Sequence, residues 1–551
     1  MQRPAVNLPD RPDQVLWDVL VVGTGMGGGT LGHALARAGK RVLFVEKGRS
    51  YLDAASDPLR GITPEEVANL PGLPADERRH LLLRAGRAAD AIEDDSPERP
   101  KAFTPEIGCG VGGSTALYGM VLERLFPADF APRGNYSEAD IDGGDVPEQW
   151  PISYDDLRPW YAAAERLYRA RGTVDPLRPD ADATESLIAP PPLTAGNAQL
   201  AEILRGQGLH PYQLHLACEH TDACATCQGF LCARECKNDA GRMCVLPAVR
   251  DHGASLITEC TVRALEANRT RVEHVVCTWR DQPLVLQAKQ VVLAAGALVT
   301  PTILLHSRGP HWPHGLANEH DLVGRNLMRH CIDLIVLRPK LAAPIAGQTK
   351  ELALNDFYQR DGQKFGTVQS VGGLPPFLHY LGKLGPEMRW LRYLRPALGP
   401  IWDYLRVRVI VVASIMEDLP RRDNRVLPAD EDDATRATAA PLGRLIYHHR
   451  ERQQRRAKEY NAQLAAAFKP LRPITLSVAH DNKTIAHVCG TCRFGDDPRT
   501  SVLDANCRAH GLENLYVVDA SFFPTSGGVN PSLTIAANAL RVAEHLRDAL
   551  G

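Results

Sequence analysis

A chain of 551 residues is longer than one simple hydrophobic core supports, so two closely joined domains are expected. With 44% hydrophobic and 23% charged residues it has an ordinary globular composition, which excludes extensive disorder. Lys and Arg (63) nearly balance Asp and Glu (65), so no general field exists for nucleic acid or an anionic membrane.

The segment Met1 to Gln14 is polar, with no basic stretch leading into an apolar run, so no secretory signal is expected. Trp17 to Gly48 carries the first strong signal. Val19–Val22 reads as a buried strand, Gly23-Thr24-Gly25-Met26-Gly27-Gly28 as a glycine-rich turn, and Leu31–Ala38 as a helix stopped by Gly39. Val42–Val45 is a second strand, ending at Glu46. This is a βαβ unit with a dinucleotide fingerprint: Gly23 for the tight turn, Gly25 for approach to a pyrophosphate, Gly28 for helix–strand packing. The helix N-terminus offers bare N–H groups to phosphates, and Glu46 stands where a carboxylate binds ribose hydroxyls.

Asp53 to Pro100 is polar, helical in places and acidic at Glu93-Asp94-Asp95, an expected surface excursion. A second glycine-rich loop, Gly108 to Thr115, leads into Leu117-Tyr118-Gly119 and reads as a loop pressed against a planar ligand. Trp150 to Arg171 reads as a helix capped by Ser153 with Asp156 three residues on, followed by a turn at Pro190–Pro192. Gln290 to Ala297 is another buried strand, with Thr300-Pro301 opening a helix. From His330 to Leu476 there are no dinucleotide signals. This half is expected to hold substrate, with a strand at Arg406–Ser414, an acidic run at Asp430–Asp433 and a basic helix at Arg444–Tyr460. The apolar stretch Trp390–Ile415 is broken by Arg392, Arg395, Asp403, Arg406 and Arg408, against a membrane span. The default expectation is a cytoplasmic protein.

Near the C-terminus, Asn514–Asp519 is a strand ending in an acid. Ser526 to Ser532 then leads into a helix running to about Arg547, with Asn530 as N-cap and Pro531 as first helical residue. His487 precedes Val488-Cys489-Gly490-Thr491; a lone histidine is more often structural than catalytic.

Together these segments resemble the glucose–methanol–choline (GMC) oxidoreductases. The matching stretches are Gly23–Glu46, Gly112-Gly113-Ser114-Thr115, Trp150–Tyr154, Ala294–Ala297, Val323–Leu327, His487–Thr491, and Val517–Ser521 through Asn530-Pro531, all in the family's order. The resemblance is weakest from about Leu334 to Lys469. It implies an α/β fold: a Rossmann-type FAD-binding domain like that of glutathione reductase (14–120, 237–330 and 475–551). A second α+β substrate domain (121–236 and 331–474) would be built on a mainly antiparallel sheet, with a Cys-rich insertion near 218–244. It implies FAD rather than NAD, held by Gly23, Gly25, Gly28, Glu46, Lys47, Gly112, Gly113, Ser114, Thr115, Val262, Ala295, Gly296, Asp519, Asn530, Pro531 and Ser532. It makes His487 the catalytic histidine and Asn530 the second active-site position, which is histidine in some members. Some members tether FAD through a histidine in the second loop; that position looks like Ala116, so noncovalent FAD is expected.

The chemistry suits the pair. Moving hydride from a carbinol carbon to flavin N5 requires loss of the hydroxyl proton, which a neutral imidazole can take and an amide can orient. The expected reaction turns a polar, sugar-like alcohol into an aldehyde or ketone, with O2 or another acceptor reoxidising the flavin. The branch acting on aminoglycoside precursors is the narrower expectation. Two alternatives stand beside it: a dehydrogenase feeding a cytochrome or quinone, and a non-catalytic flavoprotein carrier. The cysteines bear on the first. Six lie between Cys218 and Cys244, with Cys224 and Cys227 in a CxxC. Some bacterial sugar dehydrogenases resembling this chain hold an iron–sulfur cluster in such an insertion. A zinc site is a second reading, and structural thiols or disulfides, the favoured one, a third.

Overall fold

Four consecutive apolar residues, Val19–Val22, need cover on both faces, and a parallel sheet supplies it. In the computed structural model, Leu16–Val22 pairs in parallel with Val42–Val45 on one side and with Gln287–Leu293 on the other. The structure describes residues 5–52, 59–64, 68, 72–96, 101–178, 186–222, 224, 227–343, 350–360, 362–372, 393–406, 408–429, 442–479, 485 and 487–551.

The helix between the first two strands, Met26–Arg37, starts earlier than its apolar spacing suggests, directly after Gly25. Ser255–Ile257 extends the sheet beside Val42–Val45, and Leu515–Val517 joins it beside Val291–Leu293. The strand Gln282–Leu293 serves two sheets in turn. Its first half is the return arm of a hairpin with Val272–Trp279, joined by Arg280-Asp281. Both turn residues have positive φ, as a two-residue type I′ turn requires. Its second half enters the parallel sheet and ends at Leu293, not Ala297. From there Ala294–Gly296 turn toward the helix Thr300–His306. The C-terminal helix, Ser532–Ala549, packs on Met26–Arg37 and on Tyr154–Leu167. Ser153 caps the latter helix with the expected box: its Oγ accepts from Asp156 N (3.2 Å), and the Asp156 carboxylate accepts from Ser153 N (2.8 Å).

The second sheet is antiparallel, in the order Ile474–Leu476, Cys331–Leu337, Ile410–Met416, Gly366–Gly372, Leu352–Leu354, Tyr212–Gln213. The helix Glu451–Ala467 lays Tyr460 and Leu464 on an apolar cluster with Ile335, Phe365, Val368 and Ile410.

Three expected elements are corrected. Arg444–Ile446 is a strand, paired with Arg425–Leu427 and Ile92–Asp94, and the basic helix begins only at Glu451. Leu445 is fully buried, and strand pairing puts it in the core. The strand expected at Arg406–Ser414 begins at Ile410, because Arg395–Arg406 is helical. The acidic segment at Glu93-Asp94 is not purely a surface excursion: Ile92–Asp94 is a strand whose Ile92 is buried. The acidic run Asp430–Asp433 lies outside the described residues. Among the described residues, no helix is long and apolar enough to cross a membrane.

Candidate active site

The fingerprint glycines sit at one end of the parallel sheet. Gly23 has φ +94°, and a Cβ there would collide with Ala294 O. The helix it leads to starts at Gly25 with no side-chain cap, so its first N–H groups remain open to a phosphate. Gly28 packs under Gly23 and Val21, leaving no room for a side chain. Glu46 is buried and accepts from Thr24 N (3.1 Å), Thr24 Oγ1 (2.6 Å) and Gly48 N (2.9 Å). Its carboxylate therefore braces the glycine loop and retains lone pairs for a ribose. Lys47 is different: its ammonium is paired with Asp90 at 2.6 Å, leaving its backbone as its contribution to a cofactor. The strand Cys260–Ala267 starts beside Glu46, with Cys260 N donating to Glu46 O, and places Val262 two residues further on.

The second glycine loop folds back on the first. Gly112 N donates to Thr24 Oγ1 (3.3 Å), and Gly113 lies against Gly25. Ser114 Oγ accepts from Gly108 N, and Thr115 Oγ1 bridges Gly112 O and Ala240 N, so these two side chains hold the loop's shape. Asp519 plays a similar part on the opposite wall. Its carboxylate accepts from Gly296 N (2.8 Å), Thr300 Oγ1 (2.5 Å), Ser521 N (2.8 Å) and Ser521 Oγ (2.5 Å), tying the Ala295-Gly296 turn to the C-terminal strand. Two glycine loops in contact, an open helix end and a carboxylate at the strand tip fit FAD.

His487 has left-handed backbone, at φ +55°. Its Nδ1 is 2.8 Å from His330 Nδ1, and its Nε2 is 3.3 Å from Asn530 Nδ2. His330 Nε2 faces two carbonyls, Gly527 O at 2.9 Å and Ser526 O at 3.2 Å, so that nitrogen must carry a proton. Neutral His330 then accepts at Nδ1, His487 donates from Nδ1, and the lone pair of His487 is left on Nε2, facing Asn530. Burial, then His330 and Lys350, push the His487 imidazolium well below the ordinary histidine range, so the ring is neutral.

Asn530 is not the expected N-cap. The helix begins at Ser532 after Pro531, whose carbonyl accepts from Ile535 N, and no side chain caps it. The Asn530 amide is drawn sideways instead: Oδ1 accepts from Gln369 Nε2 at 2.7 Å, and Nδ2 points at His487.

His330, Gln369 and Lys350 escaped the sequence reading. His330 had one signal, its place three residues after Val323–Leu327; Gln369 and Lys350 had none. Lys350 is buried, donates to Gln228 Oε1 (2.9 Å) beside Gly119, and is pulled down to about 7 by burial and then by Lys237. Behind the site, buried Lys364 is paired with both Asp129 and Glu417. Glu417 accepts from Gly527 N (2.9 Å), and Tyr358, which donates to Asp129, accepts from Gly528 N (3.0 Å). This ionic block holds the loop that carries Asn530.

Paired glycine loops and a neutral histidine bonded to an amide suit a flavin-dependent, alcohol-oxidising class. Family models described as GMC oxidoreductase match residues 147–332 and 412–539. The chain is 30% identical to paromamine 6'-oxidase of Streptomyces fradiae, over 97% of this chain and 92% of that protein. It is 30% identical to 6'''-hydroxyparomomycin C oxidase of Streptomyces lividus, over 98% and 93%. Pyridoxine 4-oxidase from Mesorbium loti shares the fold, with TM-score 0.59, 20% identity and coverage of 96% and 99%. The chain belongs to the GMC oxidoreductase family. It is an FAD-dependent oxidoreductase acting on CH–OH donors.

Glu46→Ala is expected to weaken FAD binding by about 1.5–3 kcal/mol, the worth of charged hydrogen bonds. Titration of the apoprotein with FAD measures this, and an unchanged affinity would contradict it. Acid precipitation should leave the flavin in the supernatant, because Ala116 offers no attachment atom.

Proposed function

We propose that the chain oxidises a hydroxyl of a polar, sugar-like substrate, with His487 Nε2 as the proton acceptor. The observation that carries this reading is the chain Gly527 O–His330–His487–Asn530, which makes His487 Nε2 an acceptor and sets the Asn530 amide donor against it. Bound FAD supplies the two-electron acceptor for the carbinol hydride. Asn530 Nδ2 holds the substrate oxygen, with Gln369 fixing the amide so that its N–H side faces the site. His487 takes the hydroxyl proton at Nε2. In this reading the FAD contacts are the residues named above, with Lys47 and Asp519 acting through backbone and loop shape.

A hydroxymethyl group on an amino sugar is the favoured substrate, supported by the names of the two Streptomyces oxidases. Anaerobic bleaching of the flavin by a panel of sugars, amino sugars and simple alcohols tests this. Faster reduction by amino sugars is expected; reduction by simple alcohols alone would reject it. Oxygen consumption in the same panel separates an oxidase from a dehydrogenase.

His330→Leu removes the acceptor that sets the His487 tautomer. Flavin reduction should slow at least about 10-fold, toward the loss a wrong tautomer causes in serine hydrolases. The pH profile of the reductive rate should shift while FAD content is unchanged. A variant with the native pH profile would rule out the tautomer role.

A further inference from the structure

We propose that Lys350 is a further residue of the reaction: its ammonium is the counter-charge for the negative charge that FAD gains on accepting hydride. This rests on the FAD chemistry of the class and is independent of which group takes the hydroxyl proton. Lys350 joins the two halves of the site. Its backbone leads into the antiparallel sheet beside Gln369. There Glu351 N and Leu352 N both donate to Ser370 Oγ (2.9 and 3.0 Å), and Ala353 pairs with Gln369. Gln369 in turn holds the Asn530 amide that faces His487. The side chain reaches the other way, to Leu117-Tyr118-Gly119, which continues the second glycine loop. A Cβ on Gly119 would lie 2.1 Å from Lys350 Nζ, so the absence of a side chain there is what admits the ammonium. His487 feels the same charge, since Lys350 is one of the two basic groups that depress it.

The protein gives this ammonium no charge partner. Lys350 is 6% exposed, and its acceptor is neutral, Gln228 Oε1 at 2.9 Å. Among the described residues no carboxylate is paired with it, whereas neighbouring Lys237 is supported by Asp239. A buried cation without an anion is disfavoured, and burial, then Lys237, bring Lys350 down to about 7. The reaction itself supplies an anion. Oxidation of a carbinol releases a hydride and, separately, the hydroxyl proton. The hydride carries two electrons and one proton, which adds one negative charge to a neutral flavin ring. A positive charge fixed in the protein beforehand favours that product over the oxidised cofactor, and it needs no reorganisation when the charge arrives.

Sulfite adds to oxidised FAD, bleaches it and leaves a similar negative charge, so its binding reads the counter-charge without turnover. In the FAD-loaded enzyme, Lys350→Met is expected to weaken sulfite binding at least about 10-fold, the lower end of what a close opposite charge does to an ionisation equilibrium. The midpoint potential of the bound flavin should fall as well, by about 30 mV for each tenfold loss in stabilising the two-electron reduced form. Lys350→Gln keeps a hydrogen-bond donor for Gln228 but carries no charge, and it should lose as much. FAD content reports whether each variant is folded. Native sulfite affinity and potential in either folded variant would overturn the proposal. So would a raised KM for substrate with both quantities unchanged, which would make Lys350 a substrate contact instead.

Discussion

His487→Ala is expected to keep FAD bound and to slow its reduction by substrate about 10²–10⁴-fold, the usual worth of a positioned general base. FAD should stay because the residues fitted to it, the two glycine loops and Glu46, are far from His487 in sequence and hold their shape through their own hydrogen bonds. The loss falls on the chemical step because Nε2 is the one nitrogen of the His330–His487 pair whose lone pair is not taken up within the pair; it faces the Asn530 amide. The wild-type pH profile supplies a second readout. Burial and two basic neighbours hold the His487 pKa well below the ordinary histidine range, so the base form persists on acidification. The reductive rate should stay flat through neutral pH and fall only below that range. Stopped-flow bleaching reports both. A near-native rate in His487→Ala would make another group the base. Asn530→Ala should slow reduction as well. It should cost no helix cap, since the Asn530 side chain caps nothing.

Lys364→Met is expected to destabilise the protein by about 3–5 kcal/mol, the cost of stripping the counter-ion from a buried pair. Asp129 and Glu417 are both fully buried and both lean on this ammonium. Burial pushes Glu417 up, but Lys364 pulls it below the ordinary carboxylate range; Asp129 stays raised, mainly by burial. Without Lys364, two adjacent carboxylates would face each other with only tyrosine, arginine and backbone donors nearby. One must then protonate, so the deficit should shrink as pH falls. Because Glu417 and Tyr358 hold Gly527 and Gly528, the variant should also lose activity in excess of its unfolded fraction. Denaturant melts at several pH values check the first claim. A loss below about 1 kcal/mol, the range of exposed pairs, would refute it.

Local patterns were enough for several elements. The strand Val19–Val22, the glycine spacing after it, the acid at Glu46 and the Ser153 box are read within short windows, because backbone geometry and capping are local constraints. His487 and Asn530 were visible only through their motif company. What tertiary structure alone decided is how they are arranged. Nothing in sequence says that His330, 157 positions away, fixes the tautomer of His487, or that Gln369 turns the Asn530 amide out of its cap. Nor does sequence show that Lys364 meets Asp129 and Glu417, or that Leu445 belongs to a strand beside Ile92. These are contacts between segments far apart in the chain, and packing selects among partners that sequence spacing leaves equivalent.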